Sequence, residues 1–534
     1  MTLTKLTIGV AMAALLFTVL IAVLAKKRMK NPLISYLQCF TGALFIFSGW
    51  VKAIDPLGTA YKMEQYFAEF ETTFEGTWFS FLSPLFPILS KYAIGFSVGV
   101  IVFEILLGIM LLLGAYKKLT AWAFFLLVAF FTFLTGYTYL TGYVPSEPVA
   151  VIQHTNGESK QLLLSGLDTL STEGWSPVDT VKVNFFDFGY WQEYKETNMK
   201  VTDCGCFGDF LKLKPKTSFL KDVFLLIPAL LFLFFASKMH QLFSPTIRGS
   251  ILVASTAGLI VYCLSNYVWD LPHIDFRPFK KGVNVVERKE YEAEATLTKV
   301  IGYELTNKST GEKVNLTMEQ LGEMVKYPKE TWEYEQIRSI PEAEPTKISD
   351  FAVENYKGYE ITDDILYDEG YSLMIVGYNL VYDSVKTKII TVLDTIWAMD
   401  SLMVNDSLVL TQRVESIEKR QIERRDYFWN EDYTKRWTEV VNPVVLEAEK
   451  AGVKIYAISK PYDESAVDDF RHTTQSAYPF YKADDILLKT IIRSNPGVLL
   501  WHNGTIVNKW HWRKMPSFQE LQPLLVPVDT TTVQ

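Results

Sequence analysis

Two cysteines separated by one glycine are the residues of this sequence best suited to chemistry. Cys204 and Cys206 flank Gly205 in the stretch DCGCFG. Glycine permits a tight turn, and such a turn could bring the cysteine α-carbons within the range of about 4.4 to 6.8 Å that is typical of disulfides. A ring this small would be strained, and strained, exposed disulfides are labile, catalytic or regulatory. The pair is therefore a candidate for reversible oxidation.

Structural alternatives stay open for the same motif. It could be a compact corner with buried thiols, or a permanent small disulfide that fixes a loop. The nearby charges do not decide between these, because Asp203 disfavours a thiolate whereas the lysines within residues 212–216 favour it. No metal site is predicted, since two cysteines alone are too few ligands for zinc, although His154 in the same loop would add a ligand.

Glu104 is the second candidate for chemistry, because it lies in the middle of an apolar stretch. A carboxylate inside a membrane helix is costly unless it is protonated, paired or beside water. One prediction is a functional role; the alternative is a protonated side chain that bonds a hydroxyl of Thr132, Thr135 or Tyr137 on a neighbouring helix. Lys52, close to a helix end, is expected to extend to the membrane surface.

Six apolar segments in the first half are long enough to cross a membrane, which takes about 20 residues of helix. They are residues 7–25, 33–51, 92–115, 120–141, 219–236 and 251–269. Gly95 and Gly99 form a pair of small residues that would let two helices approach closely, and Gly108 adds a further small position. These segments predict an α-helical membrane bundle in contact with a lipid bilayer.

Basic residues predict the orientation of the helices. Lys and Arg in short loops are retained on the cytoplasmic side, and they cluster after the first, third and fifth segments. Both termini and residues 52–91 and 142–218 then lie outside, facing the periplasm of a bacterium with two membranes. The first segment is predicted to be a retained anchor, because its positive cluster follows the apolar run. The predicted location is the bacterial inner membrane.

Composition excludes several classes of protein. The 534-residue chain has a formal net charge of −8 and no basic stripe, so a nucleic-acid partner is excluded. Four cysteines in so long a chain do not form a disulfide framework. A small-molecule transporter is disfavoured, because the apolar half shows no clear internal repeat and Glu104 is the one acid assigned to a helix.

The second half of the chain has the pattern of a soluble protein. We predict an anchor in residues 1–30, a membrane domain in 31–281 with an insertion at 142–218, a β-rich connector in 282–350 and an α/β domain in 351–534. The connector contains a β-hairpin and ends in a linker rich in Pro and Glu from 336 to 350. The α/β domain includes a charged helix from 390 to 436 and a second helix from 438 to 451.

Two stretches of the membrane half resemble known families. Residues 45–67, FIFSGWVKAIDPLGTAYKMEQYF, resemble the signature of DoxX-type membrane proteins in a long form with a C-terminal extension. Residues 203–213, DCGCFGDFLKL, resemble a motif of MauE, the methylamine-utilisation membrane protein. The resemblance implies a DoxX-like bundle of about six membrane helices. It also implies quinone-linked oxidation, as in DoxX relatives, or disulfide formation beside a thioredoxin-like partner, as in MauE relatives.

The end of the chain resembles a thioredoxin fold. In residues 495–510, NPGVLLWHNGTIVNKW, Pro496 stands at the position of that fold's cis-proline. The resemblance implies a thioredoxin-like soluble domain, but where that fold carries CxxC, after the strand SLMIVGYNL, this chain reads VYDS at 381–384. A domain lacking CxxC is predicted to bind a partner, with Asn495 and Pro496 as the partner-binding residues.

Two hypotheses of function follow. In the first, a thiol–disulfide and quinone oxidoreductase cycles Cys204 and Cys206 between dithiol and disulfide, and electrons pass to a quinone held near Glu104. Quinone is then the implied cofactor, and the client is a periplasmic protein or a thioredoxin-like partner. In the second, the chain is a non-enzymatic envelope scaffold that binds a partner through its periplasmic domain.

Overall fold

The chain forms two compact units, Met1–Phe276 and Arg277–Gln534. The computed structural model describes residues 2–155, 157–166, 175–199, 201, 205–297, 299–339, 345–404 and 407–525, with the backbone alone at 400–404 and 407–411. The first unit is mainly helical, and the second is a strand-rich region built from small sheets. The division falls a few residues before the predicted end of the membrane domain.

Helices dominate the first unit. They are α1 (Leu3–Leu24), α2 (Pro32–Ile54), α3 (Pro56–Phe74), α4 (Leu85–Lys91), α5 (Ala93–Leu113), α6 (Lys117–Leu140), α7 (Pro215–Phe235) and α8 (Pro245–Leu264). All except α3 and α4 are long and apolar enough to cross a membrane. The six predicted spans are confirmed, and the chain is a multi-pass membrane protein.

Glycines allow α2 and α5 to pack closely. A β-carbon on Gly42 would lie 2.9 Å from the carbonyl oxygen of Gly108, and one on Gly108 would lie 2.7 Å from that of Gly42. A β-carbon on Gly49 would lie 2.5 Å from Cγ1 of Ile105 in α5. The predicted packing role of Gly95 and Gly99 is wrong, because no described atom outside their own helix lies within 4 Å of a β-carbon at either position. Close contact of α2 with α5 brings their polar side chains together.

Helix α3 was not predicted, although its start carries a recognisable signal. Asp55 accepts a hydrogen bond from the backbone N–H of Gly58 at 3.1 Å, and Pro56 occupies the first turn. An aspartate cap followed by proline is a common helix start. The helix packs against α5, where it forms one wall of the pocket described below.

The connection between α6 and α7 contains a small sheet. Its strands are β1 (Val149–His154), β2 (Ser159–Leu163) and β3 (Trp175–Val181), in the antiparallel order β2-β1-β3. Aromatic contacts join this connection to the end of α6: the rings of Tyr139 and Tyr194 lie 5.3 Å apart, and those of Tyr143 and Trp191 lie 6.0 Å apart. The insertion is therefore packed onto the bundle.

The second unit contains seven helices and ten strands in its described part. They are α9 (Val285–Ala295), β4 (Val300–Asn307), β5 (Lys313–Thr317), β6 (Trp332–Arg338), α10 (Thr362–Leu366), β7 (Tyr371–Val376), β8 (Tyr382–Val404), β9 (Ser407–Trp429), α11 (Glu431–Lys435), α12 (Asn442–Lys450), β10 (Lys454–Ser459), α13 (Glu464–Thr474), β11 (Phe480–Lys482), α14 (Asp485–Ile491), β12 (Gly497–His502), β13 (Thr505–His511) and α15 (Phe518–Leu521). The predicted hairpin is confirmed as β4 and β5, and β6 completes a sheet of order β5-β4-β6.

A five-stranded sheet of order β11-β10-β7-β12-β13 forms the centre of this unit. Strands β7, β10 and β11 are parallel, whereas β12 runs antiparallel to β7 and to β13. Trp437 and Phe470 are fully buried in the core beside the sheet. The peptide bond Asn495–Pro496, directly before β12, is cis.

The predicted helix from 390 to 436 is wrong except near its end, where Glu431–Lys435 form α11. Residues up to Trp429 form β8 and β9, an antiparallel two-stranded ribbon. Strand β8 has β-branched residues at alternate positions, such as Thr387, Ile389 and Thr391, and this period of two favours a strand. The many charges of β9 suggested a solvated helix, yet they are equally compatible with a ribbon exposed on both faces. The next predicted helix, 438–451, is confirmed by α12.

Candidate functional site

A pocket lies inside the helical bundle of the first unit. It contains about 840 Å³ of atom-free space, part of which is open to the surroundings. Residues of α2, α3, α5, α6 and α7 and of the loop 205–207 form its walls, and most of them are apolar. The charged side chains among the described lining residues are Lys52, Lys62, Glu104, Lys221 and Asp222. Three cations and two anions give this set one excess positive charge.

Lys52 and Glu104 form a buried ion pair in this pocket. The Lys52 Nζ lies 2.7 Å from Glu104 Oε2, and the two side chains are only 6% and 2% exposed. The ammonium also lies 5.2 Å from the centre of the Phe131 ring, within range of a cation–π interaction. Pairing offsets the cost of placing each charge inside the bundle.

Two predictions about this pair are therefore wrong. Lys52 does not extend to the membrane surface, because α2 continues past it to Ile54 and turns its side chain toward α5. Glu104 takes a lysine as its partner rather than a threonine or tyrosine hydroxyl. The hydroxyl of Thr132 donates to a carbonyl of its own helix, and that of Tyr137 bonds Thr73.

A second ion pair, not predicted, lies on α7. Lys221 Nζ is 2.7 Å from Asp222 Oδ1, and the Asp222 side chain is 2% exposed. Thr135 donates a hydrogen bond to the other carboxylate oxygen at 3.0 Å. Glu104 is thus not the only acid within the helices. Asp222 could have been found, because it stands inside the apolar segment predicted from residue 219.

Cys206 lines the same pocket, because the loop that carries it enters the bundle. Its carbonyl oxygen accepts a hydrogen bond from Ser48 Oγ of α2 at 2.9 Å, and the next side chain, Phe207, is 1% exposed. Gly205 has a left-handed φ of +62°, and a β-carbon there would lie 3.2 Å from Lys62 Cγ. Both observations favour glycine between the cysteines. Cys204 lies outside the described residues, so its pairing with Cys206 stays a prediction.

Polar groups on α3 add to the pocket. The hydroxyl oxygen of Thr59 is buried and has no hydrogen-bond partner in the described part of the chain. An unpaired buried hydroxyl costs about 1 to 3 kcal/mol, so a bound group that pairs with it would be stabilised. Lys62 Nζ donates to Gln65 Oε1 at 2.9 Å, and Tyr66 shares a hydrogen bond with Thr138 of α6.

The donor set fits an organic ligand with oxygen acceptors. Ammonium and hydroxyl groups in an apolar cavity suit carbonyl oxygens. Among the described residues, no group of three or more His, Cys, Asp or Glu side chains could hold a metal ion. The pocket thus has the chemistry of a site for a small, mainly apolar molecule with polar oxygens.

Asn495 and Pro496, the predicted partner-binding residues, belong to the second unit and not to this pocket. Asn495 is held by its own unit: Tyr433 donates to its Oδ1 at 3.1 Å, and Arg436 donates to its carbonyl oxygen at 2.8 Å. Its side-chain amide donates to the carbonyl of Asn379 at 2.6 Å. These bonds fix the loop before β12, and a partner-binding role there stays a prediction.

The bundle and its pocket define a class of multi-pass membrane protein with a buried charged site. Residues 30–146 match the family model of the methylamine utilisation protein MauE, so this part of the chain is MauE-like. The match includes α2 to α6, with Lys52 and Glu104, and ends before α7 and Cys206. The resemblance of 203–213 to MauE and that of 45–67 to DoxX stay predictions. No curated protein and no solved structure matches the chain.

Proposed function

We propose that this protein is a membrane thiol–disulfide oxidoreductase, in which Cys204 and Cys206 give electrons to a quinone bound in the bundle pocket. One observation carries the proposal: Cys206 lines the same pocket as two lysine–carboxylate pairs. Ionisable residues inside membrane helices, and titratable groups gathered in a cleft, are candidates for a functional site.

The reaction balances between two thiols and one quinone. Closing the Cys204–Cys206 disulfide forms one S–S bond and releases two electrons and two protons. A quinone accepts the two electrons and the two protons and leaves as a quinol. The disulfide then oxidises two thiols of a client protein by thiol–disulfide exchange, which restores the Cys204 and Cys206 thiols.

The pocket residues assist by charge and proton transfer. The ammonium groups of Lys52, Lys62 and Lys221 favour the thiolate, which is the reactive form of cysteine. The carboxylates of Glu104 and Asp222 can accept protons released from the thiols. The lysine ammonium groups would donate hydrogen bonds to the oxygens of a bound quinone, which gain negative charge on reduction. The unpaired Thr59 hydroxyl adds a donor.

An oxidising compartment at the Cys206 end of the bundle suits this chemistry. The basic clusters after the first, third and fifth spans support a cytoplasmic location for those connections. The connection with Cys206 follows the fourth span, and the second unit follows the sixth. We infer that both face the periplasm, with the bundle in the bacterial inner membrane.

The second unit is proposed to be a thioredoxin-like docking domain. Parallel β7 and β10 followed by antiparallel β12 and β13 support this resemblance. The β8–β9 ribbon starts at Tyr382, where a thioredoxin would carry CxxC, and this unit has no cysteine. It can recognise a client, with Asn495 and Pro496 near the contact, but it does not exchange thiols.

Redox trapping in cells tests the proposal. Cells are quenched in acid, free thiols are alkylated, and mass spectrometry then reports the state of Cys204 and Cys206. We expect a mixture of dithiol and disulfide that shifts to dithiol when quinone synthesis is blocked. Cys263, buried in a separate cluster, is the control and should not respond. Thiols that keep one state with or without quinone would contradict the proposal.

A non-enzymatic scaffold is the second candidate, and the docking unit without cysteines favours it. Affinity purification of the full chain with Cys204→Ser and Cys206→Ser separates the two functions. A stoichiometric partner, together with unchanged growth, would support the scaffold.

The name of MauE links that family to methylamine utilisation, and growth of a deletion strain on methylamine tests whether the link extends to this chain.

A further inference from the structure

The β8–β9 ribbon exposes most of its described side chains. Each strand has 23 residues, which corresponds to a length of about 75 Å. An isolated two-stranded ribbon is at best marginally stable in water. Ile389, Leu393, Trp397 and Ile417 are large apolar side chains exposed by 58% to 68%. Ile389, Leu393 and Ile417 share one face, which is opposite to the face described next. An exposed ribbon of this length is typical of a surface that binds a partner.

One face of the ribbon, here called the charged face, carries two opposing pairs of like charge. The register places Lys388 opposite Arg424, and Asp394 opposite Glu418. Opposing residues share a face, and so do residues six apart along one strand. A basic pair and an acidic pair therefore lie on the same face, about 20 Å apart. Lys386, Arg420 and Asp426 lie on this face as well. Like charges placed directly opposite destabilise a sheet.

Ion pairs within the ribbon offset this repulsion only in part. Arg420 lies 3.1 Å from Asp394, while Lys388 and Arg424 share Asp426 at 2.8 and 3.3 Å. The basic members of these pairs are more than half exposed, so solvent screens the attraction. The charged face therefore has charge left to interact with a partner.

The two pairs have a common centre. Positions 388 and 394 are equidistant from Thr391, and positions 424 and 418 are equidistant from Gln421; the register pairs Thr391 with Gln421. Reversing the direction of the ribbon about this centre therefore exchanges the basic pair with the acidic pair. A surface with this property is complementary to itself.

We propose that the charged face binds the charged face of a second copy of this chain, with the two ribbons antiparallel. A two-fold axis at the level of Thr391 places Lys388 over Asp394 of the second copy, and Arg424 over its Glu418. The same axis places Ile390 against Val392 of the second copy on strand β8, and Ile422 against its Arg420 on strand β9. This is an isologous interface, the commonest kind in homodimers.

The charge pattern favours a second copy over other occupants. A different protein would have to present acidic groups to the basic pair and basic groups to the acidic pair. Binding to such a partner would not require the charge pairs of both strands to be centred at the same level. An anionic lipid surface would attract the basic residues of this face but would be repelled by Asp394 and Glu418, so it matches only part of the pattern. The placement of the basic pair and the acidic pair at equal distances from one centre on both strands favours a second copy.

Charge reversal in the full-length protein tests the proposal. One variant, Lys388→Glu with Arg424→Glu, has an acidic face; the other, Asp394→Lys with Glu418→Lys, has a basic face. We expect each alone to dimerise at least about tenfold more weakly than the wild type, because like charges meet. Mixed together with different tags, the two variants should form heterodimers. Light scattering in detergent and co-purification of the tags measure both effects.

A matched control changes the opposite face. Lys419→Glu with Arg425→Glu reverses two cations of β9 that lie opposite Leu393 and Thr387 in the register, and dimerisation should stay as in the wild type. Arg425 also pairs with Asp463 at 3.5 Å, but both side chains are exposed, so this pair contributes little. A monomeric wild type, variants that dimerise normally, or a mixture that forms no heterodimer would each overturn the proposal.

A cross-link keeps the test decisive if the charge variants fail to fold. Ile390→Cys in one tagged copy and Val392→Cys in another leave all charges in place. A short bismaleimide should join these two copies, whereas Thr391→Cys, on the other face, should not cross-link to either. Absence of the Ile390→Cys to Val392→Cys product in an assembled wild-type-like protein would contradict the antiparallel arrangement. The redox proposal does not depend on this outcome.

Discussion

At the scale of residues, the buried Lys52–Glu104 pair has a direct consequence for stability. Removing one partner leaves a buried charge without compensation, whereas removing both partners leaves no buried charge. We expect Lys52→Met to lower the stability of the bundle by about 3 to 5 kcal/mol, and Lys52→Met with Glu104→Gln to lower it less. Thermal unfolding in detergent measures this. A double variant as unstable as Lys52→Met would contradict the ion pair.

Glu292 gives the second unit a pH-dependent contact. Burial raises the pKa of this carboxyl, but hydrogen bonds from Ser349, Thr346 and Arg288 together lower it below its ordinary value of 4.5. A lowered pKa means that the stabilisation is present above pH 4.5 and is lost as pH falls through the lowered pKa. The contact joins α9 to the segment that follows residue 345.

Glu292→Gln should therefore weaken this contact at neutral pH by about 1 to 3 kcal/mol, with a smaller difference from the wild type in acid. Hydrogen exchange of α9, compared between the two proteins at each pH, measures the effect. Glu290→Gln on the exposed side of the same helix is the control and should match the wild type. A difference that grows in acid would contradict the assignment.

Sequence identified some of the pocket residues and missed others for a physical reason. Glu104 was recognisable because an acid inside an apolar segment is unusual. The role of Lys52 was not, because its partner depends on how closely α2 approaches α5, and contacts at Gly42 and Gly108 set that distance. Pairing across helices is a property of packing that a single sequence does not display.

At the scale of elements, the loop that carries Cys206 depends on glycine. Gly205 has a left-handed φ of +62° and lies against Lys62. Gly205→Ala should cost about 1 to 2 kcal/mol and shift the loop, so alkylation of Cys206 should become faster. Timed alkylation followed by mass spectrometry measures the rate. Gly189→Ala, in the same connection and without close contacts in the described structure, is the control and should leave the rate unchanged.

The β8–β9 ribbon should be separable from the sheet of the second unit. Its base is fixed by Trp429, which donates to Asp469 at 2.8 Å and packs on Phe470. Replacing residues 386–426 with Asn-Gly keeps Val385 opposite Tyr427 and closes a two-residue hairpin. We expect the backbone amides of β7 and β12 to be as well protected from hydrogen exchange as in the wild type. We also expect the shortened protein to form no dimer. Loss of that protection would show that the ribbon is part of the core.

Elements with a single strong pattern were predicted well. Twenty apolar residues leave little choice but a membrane helix, and the buried strands β10 and β12 have continuous apolar runs. Strand β9 failed because its charges fit a solvated helix as well as an exposed ribbon. Helix α3 was missed because its sequence is neither strongly apolar nor clearly amphipathic, although Asp55 and Pro56 indicate its start.

At the scale of the whole molecule, a membrane bundle with a charged pocket is combined with a strand-rich unit that has no cysteine. The bundle holds the proposed electron acceptor, and the second unit is proposed to recognise the client and to dimerise. The three activities lie on different residues, so each can be removed while the others are measured.

Quinone reduction by the purified protein is the most direct test of the redox proposal. The reduced full-length protein is placed in lipid nanodiscs with a water-soluble quinone, and quinol absorbance is followed together with the mass of the Cys204–Cys206 peptide. We predict one quinol per chain, formed as that peptide loses two hydrogens, and no quinol from the variant with Cys204→Ser and Cys206→Ser. Quinol formation by that variant, or thiols that stay reduced beside excess quinone, would contradict the account.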